Sequence, residues 1–561
     1  MVSLNKIYFF MKIRFLALTL WFAAVTISAQ TPSTPRNWFH LHPEADGFQG
    51  VSTEKGYEFV KAKGRTSRTV VVAVIDSGID IDHEDLKDNI WVNPKEIPGN
   101  GKDDDNNGYI DDIHGWNFIG GRNGSHTDKD PLEATRIVAA WSHRFDGKSA
   151  KAFKGMERVQ FETYQRAKAL VEKEAGEANQ SLKSYTRIQE GLTALNDLAK
   201  KKGTHPVTAA NLGSVDISEN PELAQAKGVA ASVLEGEDTL EDFIEQLQGA
   251  VDHFKTAAEY HYNVRFNPRA TIVGDNYNDS RERNYGNNDV EGPDPLHGTH
   301  VAGIIGAVRN NGLGMDGVAD NVKIMVLRAV PDGDERDKDV ANAIRYAADN
   351  GAQIINMSFG KAFSWDKQAV DEAVQYALSK GVLLIHAAGN ESKNIDVHPN
   401  FPNRNYASGG IAPHWIEVGA LSFKKGPKAI ATFSNYGRKQ VDLFSPGVKI
   451  YATVPNNEYK DLQGTSMAAP VVAGVAAAVW AYYPELTVLE LKTVLLKSAQ
   501  PLTGPQIVPF NEELPDRKMK KDKEGNPLDG MRTMAKVSGT GGVVNLYGAF
   551  QLADQMVAKK K

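Results

Sequence analysis

Residues 69–75 (TVVVAVI) form an apolar, mostly β-branched run that ends abruptly at Asp76-Ser77-Gly78. A strand that alternates apolar and polar residues can face water on one side, but a run with no polar interruption must be covered on both faces. That run demands a sheet with a layer packed on each side. Strand-like segments recur at 323–330, 353–359, 382–388, 415–421 and 441–444. Helical patterns separate several of them. Residues 337–350 put Val340, Ile344 and Ala347 on one face before Gly351, and residues 364–380 do the same with Ala369, Val370, Ala373, Val374 and Ala377 before Gly381. Strand–helix–strand alternation predicts an α/β fold whose parallel sheet is flanked by helices, with sites at the carboxyl ends of strands.

The stretch between about 120 and 284 differs in kind. No proline occurs from 132 to 205, and Leu182, Tyr185, Ile188, Leu192 and Leu195 recur at helical spacing. Leu240, Phe243, Ile244, Leu247, Val251 and Phe254 repeat the pattern behind a helix-capping Asp238-Thr239 pair. This predicts a mostly helical insertion that interrupts the α/β domain.

Lys12 and Arg14 precede an apolar run from 15 to 29, which reads as an export signal cleaved after Ala29, with Met11 as an alternative start. A retained membrane anchor is the other reading, and the run is short for it. No later segment is expected to be long and apolar enough to cross a membrane. Among 561 residues there is no cysteine. That excludes disulfides, thiolate metal sites, a cysteine nucleophile and cysteine lipidation. A net charge of −6 argues against nucleic acid as a partner, because phosphate binding needs a basic face.

Four segments carry chemistry. In residues 72–82 (VAVIDSGIDID), Asp76 places a carboxylate at a buried strand end, where it needs a partner. In residues 297–306 (HGTHVAGIIG), His297 opens a helix of small residues. His297 and His300 could instead share a metal, but Gly298 and Thr299 stand where zinc peptidases place a glutamate. In residues 464–480 (GTSMAAPVVAGVAAAVW), Ser466 sits at a turn into an apolar helix, with Pro470 expected in its first turn. Serine needs a positioned base, histidine supplies it, and a buried carboxylate orients that histidine. In residues 382–390 (VLLIHAAGN), Asn390 can donate its amide N–H to a developing oxyanion.

A fifth segment, residues 103–112 (DDDNNGYIDD), holds five carboxylates that repel one another without a cation. Asp103, Asp105, Asn107, the Tyr109 carbonyl and Asp111 have the alternation of a calcium loop, although His114 at the twelfth position rules out an EF-hand. A solvated acidic turn is the alternative.

The motifs D-S-G, H-G-T-H-V-A-G, A-A-G-N and G-T-S-M-A-A-P, in the order Asp76, His297, Asn390, Ser466, resemble those of the subtilisin-like serine proteases. The resemblance covers roughly 37–117 and 284–553. It implies a three-layer fold, endopeptidase activity and triad roles for Asp76, His297 and Ser466, with Asn390 in the oxyanion hole. It implies substrate contacts at Ser358, Phe359 and Gly360 on one pocket wall and Ala387, Ala388 and Gly389 on the other, with a preference for apolar or aromatic side chains. It also implies a second calcium site at Asp85 and the loop 310–315, including Asn311, and a closing helix near 543–552.

The expected organisation is a signal at 1–29, an N-terminal segment at 30–69 too short for the family's inhibitory prodomain, a catalytic domain at 70–120 and 285–553, and the insertion at 121–284. Whether that insertion replaces the missing folding helper stays open. The expected protein is exported, periplasmic or extracellular, acts on polypeptide substrates and uses structural calcium and no organic cofactor. It has no stable membrane association once the signal is removed. A catalytically silent peptide-binding scaffold on the same fold is the alternative. An esterase is disfavoured, since no G-x-S-x-G frames Ser466.

Overall fold

The apolar run becomes strand β1 (Val70–Asp76), buried at every position but Val71. Its side chains divide between two cores, as the unbroken pattern requires. Val70, Val72 and Val74 enter one, and Ala73 and Ile75 enter the other. These observations come from a computed structural model that describes residues 34–236, 238–507 and 531–560. The expected export signal lies outside the described residues.

Strand β1 is an interior strand, third from one edge of a nine-stranded sheet. The sheet also holds β2 (Gly115–Asn117), β3 (Val322–Arg328), β4 (Ile354–Met357), β5 (Leu383–Ala387), β6 (Trp415–Leu421) and β7 (Leu443–Pro446), of which β3 and β4 pair with β1. The spatial order is β7-β6-β5-β4-β1-β3-β2, all parallel, extended beyond β7 by the two-residue strands Gly542–Val543 and Gln500–Pro501. Only that last pair is antiparallel. The expected α/β class, a parallel sheet between helical layers, is therefore observed. Strand β4 stops at Met357, earlier than the apolar run suggests, because Ser358 turns away to meet the helix that begins at Thr465.

The insertion contributes helices α1 (Glu133–Phe145), α2 (Gly155–Lys201) and α3 (Leu240–Thr256). Helix α2 has 47 residues, about 70 Å at 1.5 Å per residue. Thr239 caps α3 by accepting from the Asp242 N–H at 3.1 Å, as its position suggested. Leu192, Leu195, Leu240 and Leu247 form a local core, and Ile137, Phe145, Phe161 and Tyr164 form a second one that reaches Phe363 and Trp365 of the α/β domain. Residues Arg36–Lys561 make one compact unit, with the insertion inside it.

Helices α4 (Leu296–Gly306) and α7 (Thr465–Tyr482) cover one face of the sheet, and α5 (Asp337–Asp349) and α6 (Lys367–Ser379) cover the other. The expected closing helix is α8 (Leu546–Ala558). Two expectations need correction. Helix α7 is long and apolar enough to cross a membrane, contrary to the reading that no later segment is, but it lies inside the protein core. Pro470 falls inside α7 and not in its first turn. A proline leaves the carbonyl four residues back without its N–H partner. That carbonyl belongs to Ser466, and the Ser358 hydroxyl donates to it at 2.9 Å.

Candidate active site

Asp76 ends β1 and is 2% exposed. Its Oδ1 accepts from the Ser77 N–H at 2.8 Å and from His297 Nδ1 at 2.7 Å, while Oδ2 is buried with no hydrogen-bond partner among the described residues. The approach of α4 to this strand end depends on Gly298. A Cβ there would lie 2.0 Å from the Gly78 carbonyl oxygen and 3.3 Å from Asp76 Cβ. The imidazole is half-buried. Its surroundings alone would lower its pKa, but the Asp76 carboxylate outweighs them and holds it above the ordinary histidine value. Asp76 also fixes the tautomer, with the proton on Nδ1 and Nε2 left as the basic nitrogen.

His300 does not join His297 in a metal pair. Its Nε2 is shared between the carbonyls of Ile450 and Lys460 at 3.0 Å each, and burial lowers its pKa to about 4.

Ser466 lies in the first turn of α7, where backbone N–H groups have no intrahelical acceptor. Its hydroxyl donates to the Ser358 carbonyl at 3.0 Å, and the Ser358 hydroxyl returns a bond to the Ser466 carbonyl. The serine is thus stitched to the end of β4 and parked on a carbonyl, not on the histidine. Asn390 follows β5. Its Oδ1 accepts from the Thr465 N–H at 2.8 Å and the Thr465 hydroxyl at 3.0 Å. With the amide oxygen pinned, the Nδ2 hydrogens point away from Thr465 as donors for a ligand.

The segments Ser358-Phe359-Gly360 and Ala387-Ala388-Gly389 stand on either side of Asn400. A Cβ on Gly360 would lie 2.6 Å from Asn400 Nδ2, and that nitrogen reaches the Ala388 carbonyl at 3.3 Å. Asn400 was not singled out in the sequence, because it belongs to no motif. Gly389, at φ +100°, has no room for a side chain either: a Cβ would meet Asn435 Nδ2 at 2.4 Å. Asp76, His297, Ser358 and Phe359 line a cleft of about 660 Å³, together with Asp128, Lys129, Val330, Pro331 and Asp332.

The acidic loop brings part of the expected ligand set together. Carboxylate oxygens of Asp103 and Asp105 gather with Glu96, which the sequence reading missed. Glu96 Oε2 and Asp105 Oδ2 are buried without hydrogen-bond partners. Asp111 instead accepts from the Asn100 and Gly101 N–H groups, and the Asn107 amide donates to Asp112. The Tyr109 ring is buried against Trp116 and Tyr346. Asp85 and Asn311 do meet, the amide donating to the carboxylate at 2.7 Å.

Comparison with known proteins agrees with this geometry. The model of the subtilase family matches residues 67–548. The chain belongs to the subtilase family. Relatives of this subtilase include a thermophilic serine proteinase from Bacillus sp. (strain AK1), 40% identical over 182 residues, which are 32% of this chain and 41% of that one. Thermitase from Thermoactinomyces vulgaris is 41% identical over 181 residues, 32% of this chain and 59% of thermitase. Subtilisin DY from Bacillus licheniformis is 34% identical over 204 residues, 36% of this chain and 70% of the relative. The chain thus spans less than two thirds of the first two relatives. In this subtilase the aspartate and histidine are 221 residues apart in sequence and still meet at 2.7 Å.

Proposed function

We propose that this subtilase is an exported serine endopeptidase working through an Asp76-His297-Ser466 triad. The observation that carries the reading is the Asp76–His297 hydrogen bond at the mouth of a cleft that also holds Ser358, the residue stitched to Ser466. On substrate binding, Ser466 Oγ leaves the Ser358 carbonyl and attacks the peptide carbonyl as its proton passes to His297 Nε2. The tetrahedral oxyanion is met by Asn390 Nδ2 and the Ser466 N–H. Collapse expels the amine, which takes the proton from His297, and water hydrolyses the acyl-enzyme by the same route. Peptide backbone pairing along Ser358–Gly360 suits broad recognition. The pocket between the two glycine-ended walls carries the proposed preference for apolar or aromatic side chains. Export is supported by Lys12, Arg14 and the apolar run that follows them.

Casein hydrolysis with Asn390→Ala tests the reading. Loss of one oxyanion donor should lower kcat about 10²–10³-fold with little change in KM. Undiminished kcat would remove Asn390 from the mechanism.

We also propose a structural calcium ion at Glu96, Asp103 and Asp105. Buried carboxylate oxygens without hydrogen bonds, Asp105 Oδ2 having only the Lys95 ammonium at 3.8 Å, fit a hard cation that takes oxygen ligands. Asp85 and Asn311, whose side chains meet at 2.7 Å, remain the second proposed calcium site. Removing an ion held at 100–1,000 times its Kd costs about 3–4 kcal/mol. Spread over a unit of this size, whose unfolding entropy is about 1 kcal/mol/K, that loss means that excess EDTA should lower the melting temperature by about 3–4 °C, and Glu96→Gln should reproduce most of it. A melting temperature indifferent to EDTA would end the proposal.

A further inference from the structure

The root of the insertion forms part of the cleft. Asp128 and Lys129, just before α1, line it together with Ser358 and Phe359. Residues 128–130 pair with the cleft segment 330–332: the Asp332 N–H donates to the Asp128 carbonyl at 2.8 Å and the Asp130 N–H to the Asp332 carbonyl at 3.0 Å. One edge of that cleft segment is therefore already occupied by the insertion.

The first turn of α1 then reaches across to the other wall. Glu133 is fully buried. Its N–H donates to Asp334 Oδ2 at 2.8 Å, and its Oε2 accepts from Arg136 Nη2 and Lys361 Nζ, each at 2.7 Å. Lys361 adjoins the Ser358-Phe359-Gly360 wall, and its ammonium also meets the Glu335 carbonyl and the Asp337 carboxylate. Arg136 binds the carbonyls of Asp334 and Glu335 at 2.9 and 3.1 Å, and Arg336 forks onto Asp130 at 2.6 and 2.8 Å. Burial alone would raise the Glu133 carboxyl; Arg136 and Lys361 hold it down at about 2.

We propose that Glu133 and Arg136 are positioning residues for substrate: through Lys361 and segment 334–337 they hold the two cleft-lining segments 330–332 and 358–360 at a fixed separation. Buried ion networks of this kind contribute little stability over an apolar core; here their bonds run between segments that line or adjoin the cleft. The insertion root is thus a fixed buttress. Mobile lids come from segments with few buried contacts, and this root has the reverse. A peptide long enough to lie between these segments gains from the preset spacing, whereas a single residue at the catalytic centre does not.

The inference rests on the endopeptidase reading, and the test separates the two. Glu133→Gln is compared with the wild type on a blocked single-residue p-nitroanilide and on a four-residue peptide p-nitroanilide. We expect KM for the long substrate to rise about tenfold while kcat for the short one stays within about twofold, with Glu133→Asp restoring part of the difference. Equal losses on both substrates, or no loss, would overturn the proposal; a wild type inactive on both would overturn the endopeptidase reading. Should Glu133→Gln fail to fold, hydrogen exchange on the wild type decides. A four-residue peptide aldehyde should slow exchange at amides 128–136 and a single-residue aldehyde should not; the same pattern with both rejects the positioning role.

Discussion

Ser466→Ala is expected to lower kcat on casein by on the order of 10⁶-fold while leaving the melting temperature within a few degrees of the wild type. The two readouts diverge because the hydroxyl has two separable jobs. In the resting structure it makes one hydrogen bond, to the Ser358 carbonyl. Losing a bond of that kind costs about 1 kcal/mol, and the first turn of α7 stays anchored through the Ser358 hydroxyl and through Thr465 on Asn390. In the reaction, no other group in this constellation can form the acyl bond. The remaining donors still stabilise charge, so a residual rate about 10³–10⁴-fold above water is consistent with the mechanism. Casein hydrolysis by the variant at the wild-type rate would rule out Ser466 as nucleophile, whatever its effect on stability.

Asp76→Asn is expected to cost about 10⁴-fold in kcat and to move the acid limb of the pH profile downward. The carboxylate does two things to His297. It accepts the Nδ1 proton at 2.7 Å, and it raises the imidazole's pKa against the opposing effect of burial. The base must be neutral to act, so the wild-type rate should rise with pH only through a midpoint above the ordinary histidine value. An amide at position 76 carries no charge, so the histidine loses its proton at lower pH and the limb follows it down. An amide can also present N–H to the ring, which would leave the proton on the wrong nitrogen. A variant with reduced rate but an unmoved acid limb would mean that the measured ionisation is not that of His297.

The three residues of the proposed triad stand out in the sequence because each sits in a short stretch whose composition states its environment. Asp76 ends an unbroken β-branched run, and His297 and Ser466 open helices of small residues that must pack closely. The sheet was legible for a similar reason: its strands are mostly apolar runs, and the few polar residues in them, such as Asn356, His386 and Glu417, are themselves buried. Pro470 was misplaced because local sequence cannot show that a serine from another strand replaces the missing N–H. Glu96 was missed because it lies outside the acidic run and joins Asp103 and Asp105 only through the fold of the loop. The cluster around Glu133 was invisible. Asp130, Arg136, Arg336 and Lys361 look like surface charges until two segments some 200 residues apart are brought together.

The position of β1 also sets the order in which the protein becomes dangerous. Val70 pairs with Val322 and Val72 with Ile354, so this interior strand has no lasting neighbour until the whole insertion has been synthesised. Such distant pairings form slowly. Chains are made from the amino terminus, so Asp76 emerges first, His297 long afterwards and Ser466 later still. A growing chain thus carries an aspartate without its histidine, then a pair without its nucleophile. On the proposed mechanism, it gains the power to cut proteins only when most of its own length is ready to fold out of reach.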